Sequence, residues 1–97
     1  MYTVMRNGFT DGGFIAGLEG RKYMNDPVID TTATGENILK LRIQKGLSVR
    51  ELQSALGFAT PQAIYKWQKG QSLPTIDNLV ILSEILNVPI DRILIVK

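Results

Sequence analysis

Residues 62–69 place two lysines, a glutamine and a tyrosine at spacings that bring them to one side of a helix. Gln62, Tyr65, Lys66 and Lys69 lie at i, i+3, i+4 and i+7, with no acidic residue among them. The Gln62 amide can bond an adenine edge in two places, and the Lys66 ammonium can donate to O6 and N7 of guanine. Tyr65 offers a ring for a thymine methyl or a sugar, and Lys69 a charge for a phosphate. A solvated helix face ordinarily mixes glutamate with lysine, so this face favours contact with DNA.

Capping signals predict five short helices from residue 34 onwards. Thr34 is expected to cap the first helix, and Gly46 to end it in a left-handed conformation that glycine adopts without steric cost. Ser48 and Glu51 have the spacing of a capping box, which begins the second helix. Gly57 ends that helix.

The third helix is predicted over residues 61–69 and carries the acid-free face. Thr60 is the expected N-cap, and Pro61 suits the first helical position, where a missing N–H leaves no bond unmade. Gly70 then ends the helix. The second helix, a short turn and this third helix together have the dimensions of a helix-turn-helix.

Two further helices complete the predicted bundle. Pro74-Thr75 opens the fourth helix and Asn87 ends it, and the many apolar residues between them predict that it is the central, buried helix. The fifth helix is expected over residues 90–95. Because so short a helix buries only one or two side chains, the apolar end 93–96 is a candidate surface for a second copy of the chain or for another protein.

The composition limits the chemistry available to the chain. Its 97 residues include neither cysteine nor histidine, and its carboxylates are scattered. Disulfides, thiol nucleophiles and imidazole acid–base catalysis are therefore excluded. We expect no catalytic, cofactor-binding or metal-binding residues, and hence no enzyme.

The net charge of +2 conceals an uneven distribution. Residues 35–70 hold six lysines and arginines against two glutamates, a net of +4, whereas residues 1–34 and 71–97 each sum to −1. A basic block between near-neutral flanks is typical of a small surface that binds a polyanion, although lysine-rich helix faces are commonly just solvated.

Residues 1–33 are predicted to form a flexible, glycine-rich arm and linker ahead of a folded domain over residues 34–97. Five of the nine glycines fall in the first twenty residues, which argues against a helix there. The stretch 12–20 lacks the Gly-Lys-Ser/Thr signature of a phosphate-binding loop and the spacing of a dinucleotide fingerprint. The arm is a candidate contact for a protein partner.

No segment predicts contact with a membrane. The longest apolar runs, 79–82 and 93–96, are far shorter than the roughly 18 residues that span a bilayer. Residues 1–6 lack the pattern of a secretory signal. The chain is therefore expected to be cytoplasmic.

As an ordered series, the motifs of residues 35–96 resemble the lambda-repressor-like helix-turn-helix family, of Cro and Xre type. The matching stretches are Gly35-Glu36-Asn37-Ile38, Leu41-Arg42, Lys45-Gly46-Leu47-Ser48, Glu51-Leu52, Leu56-Gly57, Gln62 to Trp67, Lys69-Gly70, Leu73-Pro74 and Leu79 to Val88. The resemblance implies an all-α, five-helix bundle that binds double-stranded DNA in the major groove, usually as a two-fold dimer on a pseudo-palindromic site.

The resemblance also assigns roles to individual residues. The base-reading candidates are Thr60, Gln62 and Lys66, with Tyr65 added because it shares their face. The phosphate-binding candidates are Arg42, Lys45, Ser48 and Lys69. Each also has a simpler role to weigh: the serine and threonine as helix caps, the arginine in internal hydrogen bonding, and Lys45 as a solvated charge.

The turn before the third helix departs from the family pattern. Ten positions separate Gly57 from Trp67, one more than is usual, so Phe58 or Ala59 is an insertion that alters how the third helix enters the groove. Pro61 stands where relatives often have a polar, base-contacting residue. It can offer only apolar contact.

Two electrostatic contacts of the family are also altered. Val49 stands where many relatives place a glutamine that holds a phosphate, and Gln68 replaces a glutamate that pairs with the first-helix arginine, here Arg42. We expect a hydrogen bond between Arg42 and the uncharged side-chain amide of Gln68, in place of an ion pair. The guanidinium would then be freer to meet a phosphate.

These observations predict a sequence-specific DNA-binding regulator of transcription, acting as a repressor, that reads the major groove with residues 61–69. The alternative is an antitoxin or a protein-interaction module that uses the same fold to bind a protein partner. Size-exclusion chromatography with light scattering separates the two, because a strict monomer at high concentration argues against the symmetric dimer that binding to a palindromic site requires.

Overall fold

The structure, a computed structural model, describes residues 29–97, so residues 1–28 of the arm and linker predicted over residues 1–33 lie outside the described residues. The helices are α1 (Thr31–Lys45), α2 (Val49–Leu56), α3 (Gln62–Gln68), α4 (Ile76–Leu86) and α5 (Ile90–Ile93). The one strand-like pairing within residues 29–97 is an isolated antiparallel bridge between Ile29 and Val96. The predicted all-α fold of five helices is confirmed.

The first helix begins four residues before the predicted start. Asp30 is its N-cap, and Oδ1 of Asp30 accepts a hydrogen bond from the backbone N–H of Ala33 at 3.0 Å. The prediction that Thr34 caps the helix is wrong, because Thr34 lies inside α1 and is completely buried. Its Oγ1 accepts from the N–H of Ile95 at 2.9 Å and donates to the Ile95 carbonyl at 3.4 Å. Thr34, which has a side chain typical of a helix cap, therefore joins α1 to the C-terminal end of the domain at Ile95.

Close backbone approach between α1 and the end of α3 requires two glycines. A Cβ on Gly35 would fall on the carbonyl oxygen of Trp67 and 3.0 Å from that of Gln68. Gly70 has φ +75°, and a Cβ there would lie 2.8 Å from Cα of Thr32. Helix propensity disfavours Gly35 inside a helix. The packing of α1 on α3 explains why glycine is nevertheless found there.

The predicted ends of α2 and α4 are confirmed. Oγ of Ser48 accepts from the N–H of Glu51 at 3.0 Å, and Oε1 of Glu51 accepts from the N–H of Ser48 at 2.8 Å. Oγ1 of Thr75 accepts from the N–H of Asn78 at 3.2 Å at the start of α4. Asn87 ends α4 in the left-handed region, with φ 57°.

Helix α3 begins one residue later than predicted, and Thr60 is not its cap. Pro61 occupies the N-cap position with φ −87° and ψ 4°, and no side chain caps the helix there. The backbone N–H of Tyr65 donates to the Pro61 carbonyl at 3.2 Å. Since proline stands outside the helix rather than at its first position, Thr60 is one residue too far back to cap the first turn.

Ten apolar side chains form one core between the helices. They are Ile38, Leu41, Leu52, Leu56, Ile64, Trp67, Leu79, Leu82, Leu86 and Ile93. The prediction that α4 is the central, buried helix holds only in part: α4 contributes three residues to this core, more than any other helix, but its outer face is exposed. Ile76 is 78% exposed, Val80 47% and Ile81 37%. Helix α4 therefore packs with one face and leaves apolar residues on the other.

The last helix ends at Ile93, two residues before the predicted end, and the chain continues in an extended conformation from Leu94. The side-chain amide of Asn37 donates to the carbonyls of Arg92, at 2.7 Å, and Ile93, at 2.9 Å. The N–H of Asp30 donates to the Ile95 carbonyl at 2.8 Å. These contacts satisfy the carbonyls of Arg92 and Ile93 at the end of α5 and hold the segment after it against the start of α1.

Candidate nucleic-acid interface

Helix α3 presents two chemically different faces. Ile64 and Trp67 are buried in the core, and the ring of Trp67 is met edge-on by Phe58, with centroids 5.7 Å apart. Gln62 and Lys66 are exposed on the outer side, where Tyr65 is 44% exposed. Because the inner residues anchor α3, its polar face is held outwards in a fixed orientation.

Four of the predicted contact residues meet around one shallow concavity. Gln62, Tyr65, Lys66 and Lys69 line it together with Gln71, and its volume is about 280 Å³. The lining provides two amides, a phenol and two ammonium groups, and no carboxylate. Such a surface donates hydrogen bonds and attracts an anion with many acceptor oxygens.

Gln71 is the member of this concavity that the sequence analysis missed. Gly70 adopts a left-handed conformation that turns the chain back at the end of α3. The N–H of Gln71 then donates to the Lys66 carbonyl at 2.9 Å, which holds Gln71 beside the helix. The signal was available, because a left-handed glycine after a helix returns the next residue to the last turn.

Thr60 is separate from the concavity. It lies exposed in the turn between α2 and α3 and is not among the residues that line the surface. The side-chain amide of Gln53 donates to the Phe58 carbonyl at 3.2 Å and fixes the start of this turn. Ala59 and Thr60 are both exposed, so this part of the turn lies on the outside of the molecule.

The predicted hydrogen bond between Arg42 and Gln68 is confirmed. Nε of Arg42 donates to Oε1 of Gln68 at 3.0 Å. A second bond, from Nη1 to the carbonyl of Leu47 at 2.7 Å, was not predicted and occupies part of the guanidinium. Of the five N–H donors of an arginine, three remain for other partners. Arg42 is half-buried between α1, α3 and the turn after α1.

The other phosphate candidates are exposed side chains at helix ends. Lys45 lies in the last turn of α1, and Lys69 is the C-cap of α3. Both positions place a cation near the negative end of a helix dipole, which is favourable without any ligand. Oγ of Ser48 accepts a hydrogen bond in the capping box, and its hydroxyl also bonds the Glu51 carboxylate, so a phosphate would have to compete for its proton.

The capping box also perturbs an acid near this surface. The backbone N–H of Ser48, followed by its hydroxyl, lowers the pKa of Glu51 below the usual value for a glutamic acid. Hydrogen bonds to a carboxylate favour its charged form. Glu51 is therefore held ionised by local contacts at the start of α2.

Neither metal-binding clusters nor membrane-spanning helices are found among residues 29–97. In that range, no three residues of the kinds that bind metals come together. No described helix combines the length and apolar character needed to cross a bilayer.

Comparison with known proteins places this arrangement among known structures. The helix-turn-helix family model matches residues 38–93. No curated protein sequence matches the chain. The restriction-modification controller protein C.AhdI from Aeromonas hydrophila has a similar fold, with 23% identity, a TM-score of 0.60, and coverage of 66% of this chain and 96% of that one. The BldD DNA-binding domain of S. venezulae gives 20% identity, a TM-score of 0.57, and coverage of 67% and 96%.

Proposed function

Because the chain belongs to the helix-turn-helix family, of Cro/C1 type, we propose that it is a sequence-specific DNA-binding regulator of transcription whose helix α3 enters the major groove. The observation that carries the proposal is the acid-free surface of α3. Gln62, Tyr65, Lys66 and Lys69 face outwards around one concavity, and the opposite side of the helix is anchored in the core. An α-helix held in this way fits the width of the major groove.

In this proposal the exposed side chains divide into two groups. Gln62 and Lys66 read base edges, with Tyr65 contacting a thymine methyl or a sugar, because amides and ammonium groups complement the acceptors of adenine and guanine. Thr60 contacts a base from the protruding turn. The phosphate contacts are Arg42, Lys45, Ser48 and Lys69, which set the position of the domain on the duplex.

Fluorescence anisotropy with labelled duplexes tests the proposal. A duplex selected from a random pool should bind, and its affinity should fall with salt at a log–log slope of about −4 to −5 if four to six phosphates are contacted. A chain that binds no member of the pool more tightly than about 10 μM would be no more than a non-specific binder. That result would refute the proposal.

We propose further that the protein represses transcription by occupying its operator. A small domain in the major groove excludes other proteins from the same DNA, and this requires no additional contact. A reporter carrying the selected site between its promoter elements should lose expression when the protein is supplied. A rise in expression would identify an activator instead.

We also propose that a second copy pairs through the apolar end 93–96. Ile93 is buried and Leu94 packs against the core, so this contact would centre on Val96, which is 61% exposed. Light scattering should find a dimer in the wild type and a monomer in Val96→Ser. A wild type that stays monomeric at high concentration contradicts this contact, without affecting the proposal for α3.

A further inference from the structure

The outer face of α4 is apolar and acidic, and nothing among residues 29–97 covers it. Ile76 is the most exposed of the large apolar side chains described, at 78%, and Val80 and Ile81 are also exposed. Asp77 and Glu84 are exposed on the same helix. We call these five residues the α4 ridge. Exposed apolar residues grouped on one helix face are typical of an interaction site.

The spacing of these residues gives the ridge a regular pattern. Asp77, Val80 and Glu84 lie at i, i+3 and i+7, so they form one line along the helix with the valine between the two acids. The ends of this line are about 10.5 Å apart, at 1.5 Å per residue. Ile76 and Ile81 lie on either side of it. Helix α4 contains no lysine or arginine.

We propose that the α4 ridge docks a protein segment whose apolar side chains are flanked by lysine or arginine. Charge decides between the possible occupants. A second copy packed through the same face would bring Asp77 and Glu84 against the same two acids of its partner, which is unfavourable in either helix direction. Nucleic acid is repelled by the same carboxylates. A basic, amphipathic segment satisfies both the apolar centre and the acids around it.

Two synthetic helical peptides with the same apolar stripe serve as probes, one with lysines beside the stripe and one with glutamates. The protein, labelled with ¹⁵N, is titrated with each peptide and followed by its amide chemical shifts. The lysine peptide should give saturable shifts confined to α4 and the residues packed beside it, and the glutamate peptide should give none.

Variants assign the binding to the ridge. Ile76→Ser with Val80→Ser should weaken the lysine peptide at least about tenfold, because the apolar contact is lost. Asp77→Asn with Glu84→Gln should weaken it about two- to tenfold, since each exposed ion pair contributes modestly. Ile43→Ser is the matched control: Ile43 is 60% exposed on α1 and should leave the affinity unchanged. All five residues are exposed, so the variants should keep the fold.

Three results would overturn the inference: no saturable binding, equal binding of both peptides, or shifts that map away from α4. Shifts at α4 that appear on concentrating the protein alone would identify a second copy as the occupant, and would also overturn it. The outcome is independent of DNA binding. Gln62→Ala and Lys66→Ala should leave the affinity for the lysine peptide unchanged.

Discussion

Nε of Arg42 donates to Oε1 of Gln68 at 3.0 Å and so joins α1 to the end of α3. The same guanidinium donates to the carbonyl of Leu47 and holds the turn that leads into α2. One side chain therefore links both helices of the helix-turn-helix to α1. The acceptor on α3 is an uncharged amide, so this link does not depend on the ionisation of an acid.

Gln68→Glu should convert this link into an ion pair and make stability depend on pH. Arg42 should hold the pKa of the introduced carboxyl below its unfolded value, because a nearby cation favours the charged form. The gain, about 0.5–1 kcal/mol, is then present above the unfolded pKa of about 4.3 and is lost as the pH falls through the lower folded pKa. Urea unfolding followed by Trp67 fluorescence at pH 7 and pH 3 measures it.

The control is the same substitution in an Arg42→Ala background. There the carboxyl has no guanidinium to meet, so the gain at pH 7 should vanish. A gain that survives in this background would assign the effect to some other contact of position 68.

Gly35→Ala should lower the free energy of unfolding by about 2–3 kcal/mol. Helix propensity alone predicts the opposite, a gain of about 1 kcal/mol, but the added Cβ would meet the carbonyl of Trp67 and force α1 away from α3. Gly46→Ala is the comparison, since its added Cβ would meet nothing within 4 Å. This variant should lose only about 1–2 kcal/mol of stability, because alanine is strained at the left-handed φ of +80°. Thermal unfolding followed by circular dichroism measures the stability of both variants. A Gly35→Ala protein that is more stable than Gly46→Ala would contradict the prediction.

Three of the four hydroxyl residues at predicted helix starts should separate into two classes when each is replaced by alanine. Ser48→Ala and Thr75→Ala should each lower stability by about 1 kcal/mol, because each removes an acceptor from a first-turn N–H. Thr60→Ala should cost less than about 0.5 kcal/mol, since Pro61 occupies the cap position of α3. Equal losses in urea unfolding would mean that Thr60 does cap α3 in solution.

The pKa of Glu51 should rise towards its usual value in Ser48→Ala. The hydroxyl bond that favours the charged carboxylate is then removed, while the backbone N–H of residue 48 remains. The contribution of the capping box to folding stability is therefore present at pH values above the unfolded pKa of a glutamic acid. It is lost as the pH falls through the lowered pKa of the folded protein. Side-chain carbon shifts followed by NMR through a pH titration measure both values. A pKa that is the same in both proteins would show that the hydroxyl has no influence.

Gln62→Ala and Lys66→Ala should each cost about 1–3 kcal/mol of binding on the preferred site and less on random DNA. The reason is that a lost bidentate contact to a base matters only where that base is present. Lys40→Ala, an exposed lysine of α1 outside the candidate set, controls for loss of charge alone. Equal losses on both kinds of DNA would move Gln62 and Lys66 to the phosphate-contact group.

Helix starts and ends were predictable where the signal is local. The capping box of Ser48 and Glu51 involves only four consecutive residues. Gly46 and Gly57 each end the helix before them by adopting a left-handed conformation, which is also a local effect. The failures involve distant contacts. Thr34 has the side chain of a cap, but its hydroxyl bonds to Ile95, 61 positions away. The exposed apolar face of α4 could not be foreseen either, because the apolar count of a helix does not say how many neighbours it has.

The candidate site followed the same division. The spacing of Gln62, Tyr65, Lys66 and Lys69 was sufficient to place them on one surface, since helical periodicity needs no tertiary information. Gln71 depends on the turn that Gly70 makes. The second bond of Arg42 depends on where the chain passes after α1. Gln71 could have been added from the local signal of a glycine after a helix, whereas the second bond of Arg42 required the three-dimensional path of the chain.

The pairing of Ile29 with Val96 also determines how the domain would respond to mechanical load. The two ends of the described chain lie side by side and antiparallel, so tension applied between them acts on the contacts of Ile95 one after another rather than all at once. Asp30 and Thr34 would release Ile95 first, and Asn37 would then release the end of α5. Under tension the domain should open from this end, and the link between Arg42 and Gln68, with the surface of α3, should be among the last parts to yield.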